Sequence, residues 1–313
     1  MLMNRKIKNP SEFGKVLVIL GGHSNEREIS LESGRAVIDA LQFLGVDTYE
    51  WDPAITSLHE ILKFKFDRAF IVLHGRGGED GRIQAILEFL NIPYTGSGVT
   101  SSAIAMNKAT SKKIFQANNI PTPQAKIIHS LADAIQSSKD LNMPIVLKPI
   151  AEGSSIGMTI VTDIKDLDSD AELALSFNGI ALAEECIIGD EVTVTILNGE
   201  ALPSILISTP NIFYDYHAKY QSKDTQYICP SSNDSNLEKV YSEIALNAFR
   251  AIGCSGWGRV DFMSDCNEPP KVLEINTVPG MTEKSLVPMA AENYGLNFYD
   301  LCWQILETSI KID

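Results

Sequence analysis

Continuous apolar runs alternate with amphipathic stretches in the first hundred residues. The first apolar run is KVLVIL (15–20), which is typical of a buried parallel strand. The next segment has helical spacing and reads SLESGRAVIDALQFLG (30–45). Two further strands are predicted at TYEWD (48–52) and RAFIVLHG (68–75), and a second helix at DGRIQAILEFL (80–90). This alternation predicts an α/β domain built on an open parallel sheet.

Two glycine-containing loops follow predicted strands of this domain. They read GGHSNEREIS (21–30) and HGRGGEDG (74–81). In open α/β sheets, ligands bind beyond the carboxyl ends of the strands. These loops are therefore expected to line a ligand site.

Turn-forming residues divide the rest of the chain. The segment PYTGSGVTSS (93–102) is rich in Gly and Ser and predicts a domain boundary. We predict an N-terminal α/β domain at 1–102, a central α+β domain at 103–187 and a C-terminal α+β domain at 188–313. Within the last of these, residues 209–233 form a polar segment that is long for a loop, and loops of this length are often functional lids.

A predicted hairpin near the C-terminus, GRVDFMSDCNEPPKVLEINTVPG (258–280), carries charge where apolar residues are expected. Side chains alternate between the two faces of a strand, so one pairing register gathers four polar residues on one face. These four are Arg259, Asp261, Glu274 and Asn276. One interpretation is a solvated face with a surface ion pair; the other is a site for a divalent cation, because Mg²⁺ is held by carboxylates and substrate phosphates.

Two further segments suggest a nucleotide. KPIAEGSSIGM (148–158) places Lys148 before a Gly/Ser loop whose backbone N–H groups can approach phosphate, and Lys108 precedes it in the chain. AEECIIGDE (183–191) follows an apolar strand and offers carboxylates for a ribose, although solvated acids on a hinge are an equal alternative.

Composition narrows the function classes. The formal net charge of -14 disfavours nonspecific nucleic-acid binding, and no apolar run is long enough for a transmembrane helix. The N-terminus lacks the apolar core of a secretory signal. The five cysteines are widely spaced without a C-x-x-C pair, which indicates reduced thiols rather than disulfides or zinc. We therefore expect a cytoplasmic protein that does not bind membranes.

Six motifs follow one another along the chain: GGHSNEREISLESG, HGRGGEDG, LKPIAEGSSIGM, FYDYHAKY, GWGRVDFM and LEINTVPGMTEKSLVP. In this order they resemble the motifs of the D-alanine–D-alanine ligase family of ATP-grasp enzymes. The similarity runs from about residue 15 to the last predicted helix. It implies a three-domain ATP-grasp fold and ATP-dependent joining of two D-alanines through an acyl phosphate, for peptidoglycan precursor synthesis. A homodimer is expected by the same analogy.

The resemblance also implies roles around ATP. Two Mg²⁺ (or Mn²⁺) ions are expected to bridge the ATP phosphates and to be held by Asp261, Glu274 and Asn276. Lys108 and Lys148 are expected to contact the phosphates. Adenine and ribose are expected to lie near Glu184 and Glu191.

For the reacting amino acids, the resemblance implies a second set of residues. Binding of the first D-alanine is assigned to Glu26, its ammonium partner, and to His74. Ser154 and Tyr220 are expected to form a hydrogen-bonded set with Glu26, and Lys219 to reach the transferred phosphate. The oxyanion of the tetrahedral intermediate is expected to meet Arg259 and the Gly280 N–H. The carboxylate of the second D-alanine is assigned to Ser285 and the Leu286 N–H, at a helix start.

Three positions depart from the family pattern, and several alternatives remain. Glu185 and Cys186 stand where a Lys and a large apolar residue are expected, and Leu206 stands where an Arg is common. The alternatives are another ATP-grasp carboxylate–amine ligase, a D-alanine–D-lactate ligase, or a nucleotide-binding regulator without catalysis. Tyr220 argues against the lactate type. A dinucleotide-dependent oxidoreductase is disfavoured because GGHSNE lacks the G-x-G-x-x-G spacing.

Overall fold

The N-terminal part forms the parallel sheet that the sequence predicts. In this computed structural model, which describes residues 5–153, 155–209, 224–265 and 268–310, β1 (Lys15–Ile19) lies between two parallel neighbours. They are β2 (Asp47–Trp51) and β3 (Arg68–Ile71). Four of the five β1 residues are fully buried, as expected for a continuous apolar run between two strands.

Helices cover this sheet. The first is α1 (Arg27–Phe43), and the short α2 (Leu58–Ile61) and α3 (Arg82–Phe89) follow it. Gly34 allows α1 to lie close to the sheet, since a Cβ at this position would be 2.5 Å from the Leu20 side chain. The helix thereby brings its N-terminal end beside the carboxyl ends of β1 and β3.

The central part is an antiparallel sheet with strand order β4-β7-β5-β6. Its strands are β4 (Ala125–Ile128), β5 (Ile145–Pro149), β6 (Thr159–Val161) and β7 (Ala181–Glu185). Two helices, α6 (Leu131–Leu141) and α7 (Leu167–Leu175), share one apolar core with it. Two more, α4 (Val99–Met106) and α5 (Lys108–Ala117), connect it to the N-terminal part.

The C-terminal part is a six-stranded antiparallel sheet with the order β11-β10-β8-β12-β13, and β9 pairs with β8. The strands are β8 (Asp190–Leu197), β9 (Glu200–Ala201), β10 (Ile205–Ser208), β11 (Gln226–Ile228), β12 (Trp257–Ser264) and β13 (Lys271–Asn276). One face packs on α8 (Ser235–Ala251). The apolar core between them includes Val260, Phe262 and Val272.

The last two helices return to the N-terminal sheet. They are α9 (Leu286–Tyr294) and α10 (Phe298–Glu307), and their buried residues belong to the same apolar core as β1 and β3. Trp303 of α10 packs edge-on against Phe13, with ring centroids 4.9 Å apart. No helix among the described residues is long and apolar enough to cross a membrane.

Candidate functional site

Two neighbouring cavities of about 320 Å³ each lie where the three sheets meet. Lys108, Glu152, Gly153 and Glu274 line both cavities, so the two cavities adjoin at these residues. Every predicted site residue in the described part of the chain lines at least one of them. The predicted residues Ser154, Lys219 and Tyr220, and most of the predicted lid 209–233, lie outside the described residues.

The first cavity is formed by the N-terminal loops and the end of the hairpin. Its predicted residues are Glu26, His74, Arg259, Asn276, Gly280, Ser285 and Leu286. The second cavity lies between the central and C-terminal sheets. Its predicted residues are Lys148, Glu184, Glu191 and Asp261.

The polar face of the hairpin has the register that the sequence predicts. Asp261 of β12 is opposite Glu274 of β13, and Arg259 is opposite Asn276. The Arg259 guanidinium donates to both Asp261 oxygens, at 2.7 and 2.8 Å. Asp261 also accepts from Asn276 Nδ2 at 2.8 Å and from the Thr193 hydroxyl at 2.7 Å. These bonds fix the Asp261 carboxylate at the mouth of the second cavity.

The donor chemistry of this face fits a hard divalent cation. Glu274 has carboxylate oxygens, and Asn276 offers its Oδ1 because Nδ2 already donates to Asp261, whereas a cation at Asp261 would replace some of the hydrogen bonds that this carboxylate accepts. In the described part of the chain, no three His, Cys, Asp or Glu side chains gather as a closed metal cage. A cation held by Asp261, Glu274 and Asn276 would take its remaining ligands from substrate phosphates and water.

Lys108 connects the hairpin to the central part. Its ammonium lies 2.9 Å from Glu274 and donates to the Glu152 carbonyl at 2.8 Å. Burial alone lowers the pKa of a lysine, but the nearby carboxylates of Glu274, Glu184 and Glu79 together outweigh burial and raise the pKa of Lys108. The charge of Lys108 is thus maintained at the junction of the two cavities.

A buried ion-pair trio lies at the wall of the second cavity, which Lys148 and Glu184 line and which Lys112 supports from inside the protein. Glu184 of β7 is flanked by Lys112 and Lys148, each with its ammonium 2.8 Å from a carboxylate oxygen. Burial alone raises the pKa of Glu184, but the two ammonium groups outweigh it and lower that pKa. Burial lowers the pKa of Lys112 to about 8. Lys112 also donates to the Thr122 hydroxyl at 3.0 Å.

Sequence reasoning missed Lys112. The available signal was its spacing, because Lys112 follows Lys108 by four residues and the two therefore share one face of α5. That face points to both sheets: Lys108 pairs with Glu274 of the C-terminal sheet and Lys112 with Glu184 of the central sheet.

Glu26 precedes α1 and lies between two loops in the first cavity. Its carboxylate packs against Gly75 and Gly153, where added Cβ atoms would be 2.7 and 3.1 Å from Oε2. A side chain at Gly75, which has φ +68°, would be both strained and in contact with this carboxylate. The two glycines therefore leave room for Glu26.

Glu79 is a second residue that sequence reasoning missed. It lines the first cavity and accepts the Gly75 N–H at 2.8 Å. Burial, and then the nearby Glu26 carboxylate, raise the pKa of Glu79 to about 8. Glu79 lies in the motif HGRGGEDG, in which His74 was the only predicted site residue.

His74 is almost fully buried, with 4% of its surface exposed. One ring nitrogen, Nδ1, donates to the Val278 carbonyl at 2.7 Å, and Nε2 lies 3.2 Å from the Ser33 hydroxyl. Burial lowers the pKa of His74 and keeps the imidazole neutral.

The start of α9 closes the first cavity. Ser285 is the residue before this helix, and Leu286 is its first residue. The Ser285 hydroxyl accepts the Thr282 N–H at 3.1 Å, and it lies beside Gly280, where an added Cβ would be 2.9 Å away. The free N–H groups and dipole of a helix start favour an anion here.

The three departures from the family pattern all line the second cavity. The Glu185 carboxylate lies 3.2 Å from the Lys271 ammonium of β13 and accepts the Gln124 N–H at 3.1 Å. Cys186 and Leu206 add apolar surface to the cavity wall.

Comparison with known proteins gives matches along most of the chain. The family models "D-ala D-ala ligase N-terminus" and "D-ala D-ala ligase C-terminus" match residues 49–97 and 114–307. The chain is 48% identical over 306 residues to a D-alanine–D-alanine ligase of Acinetobacter baylyi, which covers 97% of this chain and 98% of the relative.

Solved structures are similar over the same length. A D-alanine–D-alanine ligase from Bacillus anthracis complexed with ATP has a TM-score of 0.83 and 33% identity, covering 94% of this chain and 97% of that one. The VanG D-Ala:D-Ser ligase from Enterococcus faecalis has a TM-score of 0.82 and 28% identity, covering 95% and 99%.

Proposed function

The chain belongs to the D-alanine–D-alanine ligase family, and we propose that it joins two D-alanine molecules in a reaction driven by ATP. The ATP-grasp fold predicted from the sequence is confirmed by its structural neighbours. The product, D-alanyl-D-alanine, is a building block for peptidoglycan.

The observation that carries the proposal is the junction between the two cavities. With ATP in the second cavity and the amino acids in the first, the two meet at the residues that line both cavities, which include Lys108 and Glu274. Phosphoryl transfer requires the nucleotide and its acceptor to be in contact, away from water. The hairpin face lies at this junction.

We propose two chemical steps there. A carboxylate oxygen of the first D-alanine attacks the γ-phosphorus of ATP, the bond to the β,γ-bridging oxygen breaks, and ADP leaves. The amine of the second D-alanine then attacks the acyl carbon, loses a proton, and the C–O bond to phosphate breaks. The products are the dipeptide, ADP and phosphate.

The hairpin face is assigned to the metal-bound phosphates. Asp261, Glu274 and Asn276 would hold Mg²⁺ or Mn²⁺, which neutralises phosphate charge and aligns the transferring group when bound. Lys108 and Lys148 are assigned to phosphate oxygens, and Glu184 and Glu191 to adenine and ribose. The pair between Lys108 and Glu274 supports this assignment, because it places a cation beside the carboxylate at the point of transfer.

The first cavity is assigned to the two D-alanines. Glu26 is expected to bind the ammonium of the first, with His74 beside it and Ser154 and Tyr220 completing the set. Ser285 and the Leu286 N–H are expected to hold the carboxylate of the second, as anions are favoured at the start of α9.

Arg259 and the Gly280 N–H are assigned to the oxyanion that forms when the amine attacks. The bidentate pair with Asp261 supports this role for Arg259, because it fixes the guanidinium plane beside the first cavity. Donors that are fixed in advance stabilise developing charge without reorganisation.

The wider setting is also part of the proposal. We place the protein in the cytoplasm, where ATP is available, and propose a homodimer. The divisions 1–102, 103–187 and 188–313 are proposed as its domains, Lys219 as a contact of the transferred phosphate, and 209–233 as the lid over it.

The test is product analysis with ATP, Mg²⁺ and D-alanine. We expect ADP, phosphate and the dipeptide in equal amounts by chromatography and mass spectrometry. Glu26→Gln should lose most activity, whereas Glu28→Gln, an exposed carboxylate on α1, serves as the matched control. ADP release that ignores D-alanine, or a protein inactive with every acceptor, refutes the proposal.

Acceptor choice needs its own comparison, because a D-Ala:D-Ser ligase shares the fold. D-Alanine, D-serine and D-lactate compete in one reaction across pH 6 to 8. We expect the D-alanine product to dominate. A majority of D-serine or D-lactate product would replace the proposed acceptor and leave the acyl-phosphate chemistry in place.

A further inference from the structure

Two buried side chains form hydrogen bonds with the backbone of the turn that carries Gly280. His74, after β3, donates from Nδ1 to the Val278 carbonyl at 2.7 Å. Ser33, on α1, accepts the Met281 N–H at 3.0 Å. The same Ser33 hydroxyl lies 3.2 Å from His74 Nε2. Residues on both sides of Gly280 are therefore tied to one hydrogen-bonded pair.

The direction of each hydrogen bond follows from its partners. A carbonyl only accepts, so the proton of the neutral imidazole is on Nδ1 and Nε2 accepts. The Ser33 hydroxyl therefore donates to Nε2 and uses a lone pair for the Met281 N–H. The low pKa of His74, caused by burial, keeps Nε2 unprotonated and preserves this arrangement.

Ser33 has no access to a substrate. It is fully buried and does not line either cavity, whereas Gly280 lines the first. Its hydroxyl donates its one proton to His74, in the loop after β3, and accepts the N–H of Met281, in the turn after β13. Any effect of Ser33 on the reaction must therefore act through the backbone of that turn.

We propose that Ser33 and His74 are positioning residues that fix the Gly280 N–H for the oxyanion formed in the second step. The proposal rests on the proposed function, which assigns that N–H to the oxyanion. Oxyanion donors act only over a narrow range of distances, so small displacements of the turn lower turnover more than substrate binding.

Ser30 offers a matched control one turn earlier on α1. It is also fully buried, and its hydroxyl likewise makes one bond in each direction. It accepts the Gly21 N–H at 2.8 Å and donates to the Val72 carbonyl at 2.6 Å. Ser30→Ala therefore removes the same number of buried hydrogen bonds as Ser33→Ala without contacting the turn.

The experiment compares wild type, Ser33→Ala and Ser30→Ala by steady-state kinetics and amide hydrogen exchange. For Ser33→Ala we expect kcat to fall roughly 5- to 50-fold, which is less than deletion of an oxyanion donor, with KM for ATP and D-alanine nearly unchanged. Exchange should quicken in the peptide that contains the Met281 amide. Ser30→Ala should keep kcat within about twofold, although both variants lose stability.

A second variant, Ser33→Cys, tests the same position if Ser33→Ala does not fold. Ser33→Cys keeps the shape but has a weaker acceptor and donor, so its kcat should lie between those of wild type and Ser33→Ala. The proposal is overturned if Ser33→Ala keeps wild-type kcat, or if Ser30→Ala loses as much kcat as Ser33→Ala. Unchanged Met281 exchange in Ser33→Ala would also overturn it, and this readout does not depend on catalysis. An inactive wild type refutes the proposed function instead.

Discussion

Replacement of Lys112 by Met tests whether the buried trio serves the nucleotide. The Lys112 and Glu184 side chains are 3% and 2% exposed, and their charged atoms are 2.8 Å apart. Lys148 contacts the other Glu184 oxygen at 2.8 Å. Met has a similar length and no charge, so the substitution removes the ammonium and largely keeps the packing.

The loss of stability depends on the ion pair with Lys148 that Glu184 retains. Removing one partner of a buried ion pair costs about 3–5 kcal/mol when the other charge is left alone. Here Lys148 remains, so the loss is closer to that of one hydrogen bond to a charged group, about 1.5–3 kcal/mol. We expect the free energy of unfolding of Lys112→Met to fall by about 1.5–3 kcal/mol.

The effect on ATP follows from the net charge of the trio. At pH 7 Lys112 is mostly protonated, since its pKa is about 8, and the trio carries one net positive charge. Without Lys112 the charges of Lys148 and Glu184 cancel. Lys148 is then bound more strongly by Glu184 and offers less attraction to phosphate, so we expect KM for ATP to rise about 3- to 10-fold, or ~0.7–1.4 kcal/mol.

Urea unfolding without ligands measures the change in stability. Initial rates over a range of ATP concentrations at saturating D-alanine measure KM for ATP. Lys113→Met is the control, because Lys113 is the next residue of α5 and is exposed. The reasoning is refuted if the two variants have the same KM for ATP, whatever their stabilities. Equal stability of the two variants would show that Glu184 does not need its second ammonium.

Two further predictions concern the carboxylates. Asp261→Asn and Glu274→Gln should each lower kcat by roughly 100-fold or more at ordinary Mg²⁺ concentrations, because a bound metal contributes several kcal/mol to charge stabilisation. The measurement is a titration of each variant with Mg²⁺. Wild-type rates in both variants would show that the polar face of the hairpin is only solvated. The pKa of Glu79 is about 8 in the folded protein, above its ordinary value of 4.5, so folding favours the protonated carboxyl group. The contribution of Glu79 to stability is therefore fully present below pH 4.5 and is lost as the pH rises towards 8. Glu79→Gln should therefore gain stability relative to wild type between pH 5 and 8 in thermal unfolding without ligands, and parallel curves would contradict this.

The spacing of apolar residues and the positions of turn-forming residues were sufficient to predict the local structure. The parallel strands β1 and β3 are confirmed because continuous apolar runs and the helix between them allow few other arrangements. The pairing of Asp261 with Glu274 is confirmed by the strand register, and a slip of one residue would turn the carboxylate of the shifted strand towards the core that holds Val260 and Ile275.

Contacts between distant segments could not be predicted in this way. The apolar residues of α10 are typical of a buried helix, and residues 301–307 are all buried, but the sequence does not indicate that Trp303 packs on Phe13 at the other end of the chain. Lys112 has the sequence pattern of an ordinary helical lysine. Its burial depends on Glu184, which is far away in the chain and is brought close only by the central sheet.

Glu185 shows how a departure from a family motif is balanced in space. The family resemblance predicts a Lys at this position, but the Glu185 carboxylate lies 3.2 Å from Lys271, so a cation at this edge comes from β13 instead of β7. The pair is only partly buried, with side chains 31% and 17% exposed, and its contribution is therefore modest, about 1 kcal/mol or less. Glu185→Lys alone would put two ammonium groups together, and we expect it to raise KM for ATP more than Lys271→Ala does. The double variant Glu185→Lys with Lys271→Glu exchanges the two charges and should recover most of that loss. A double-mutant cycle on KM, with Glu185→Lys and Lys271→Glu as the single variants, measures the coupling, and effects that simply add would show that the two side chains act independently.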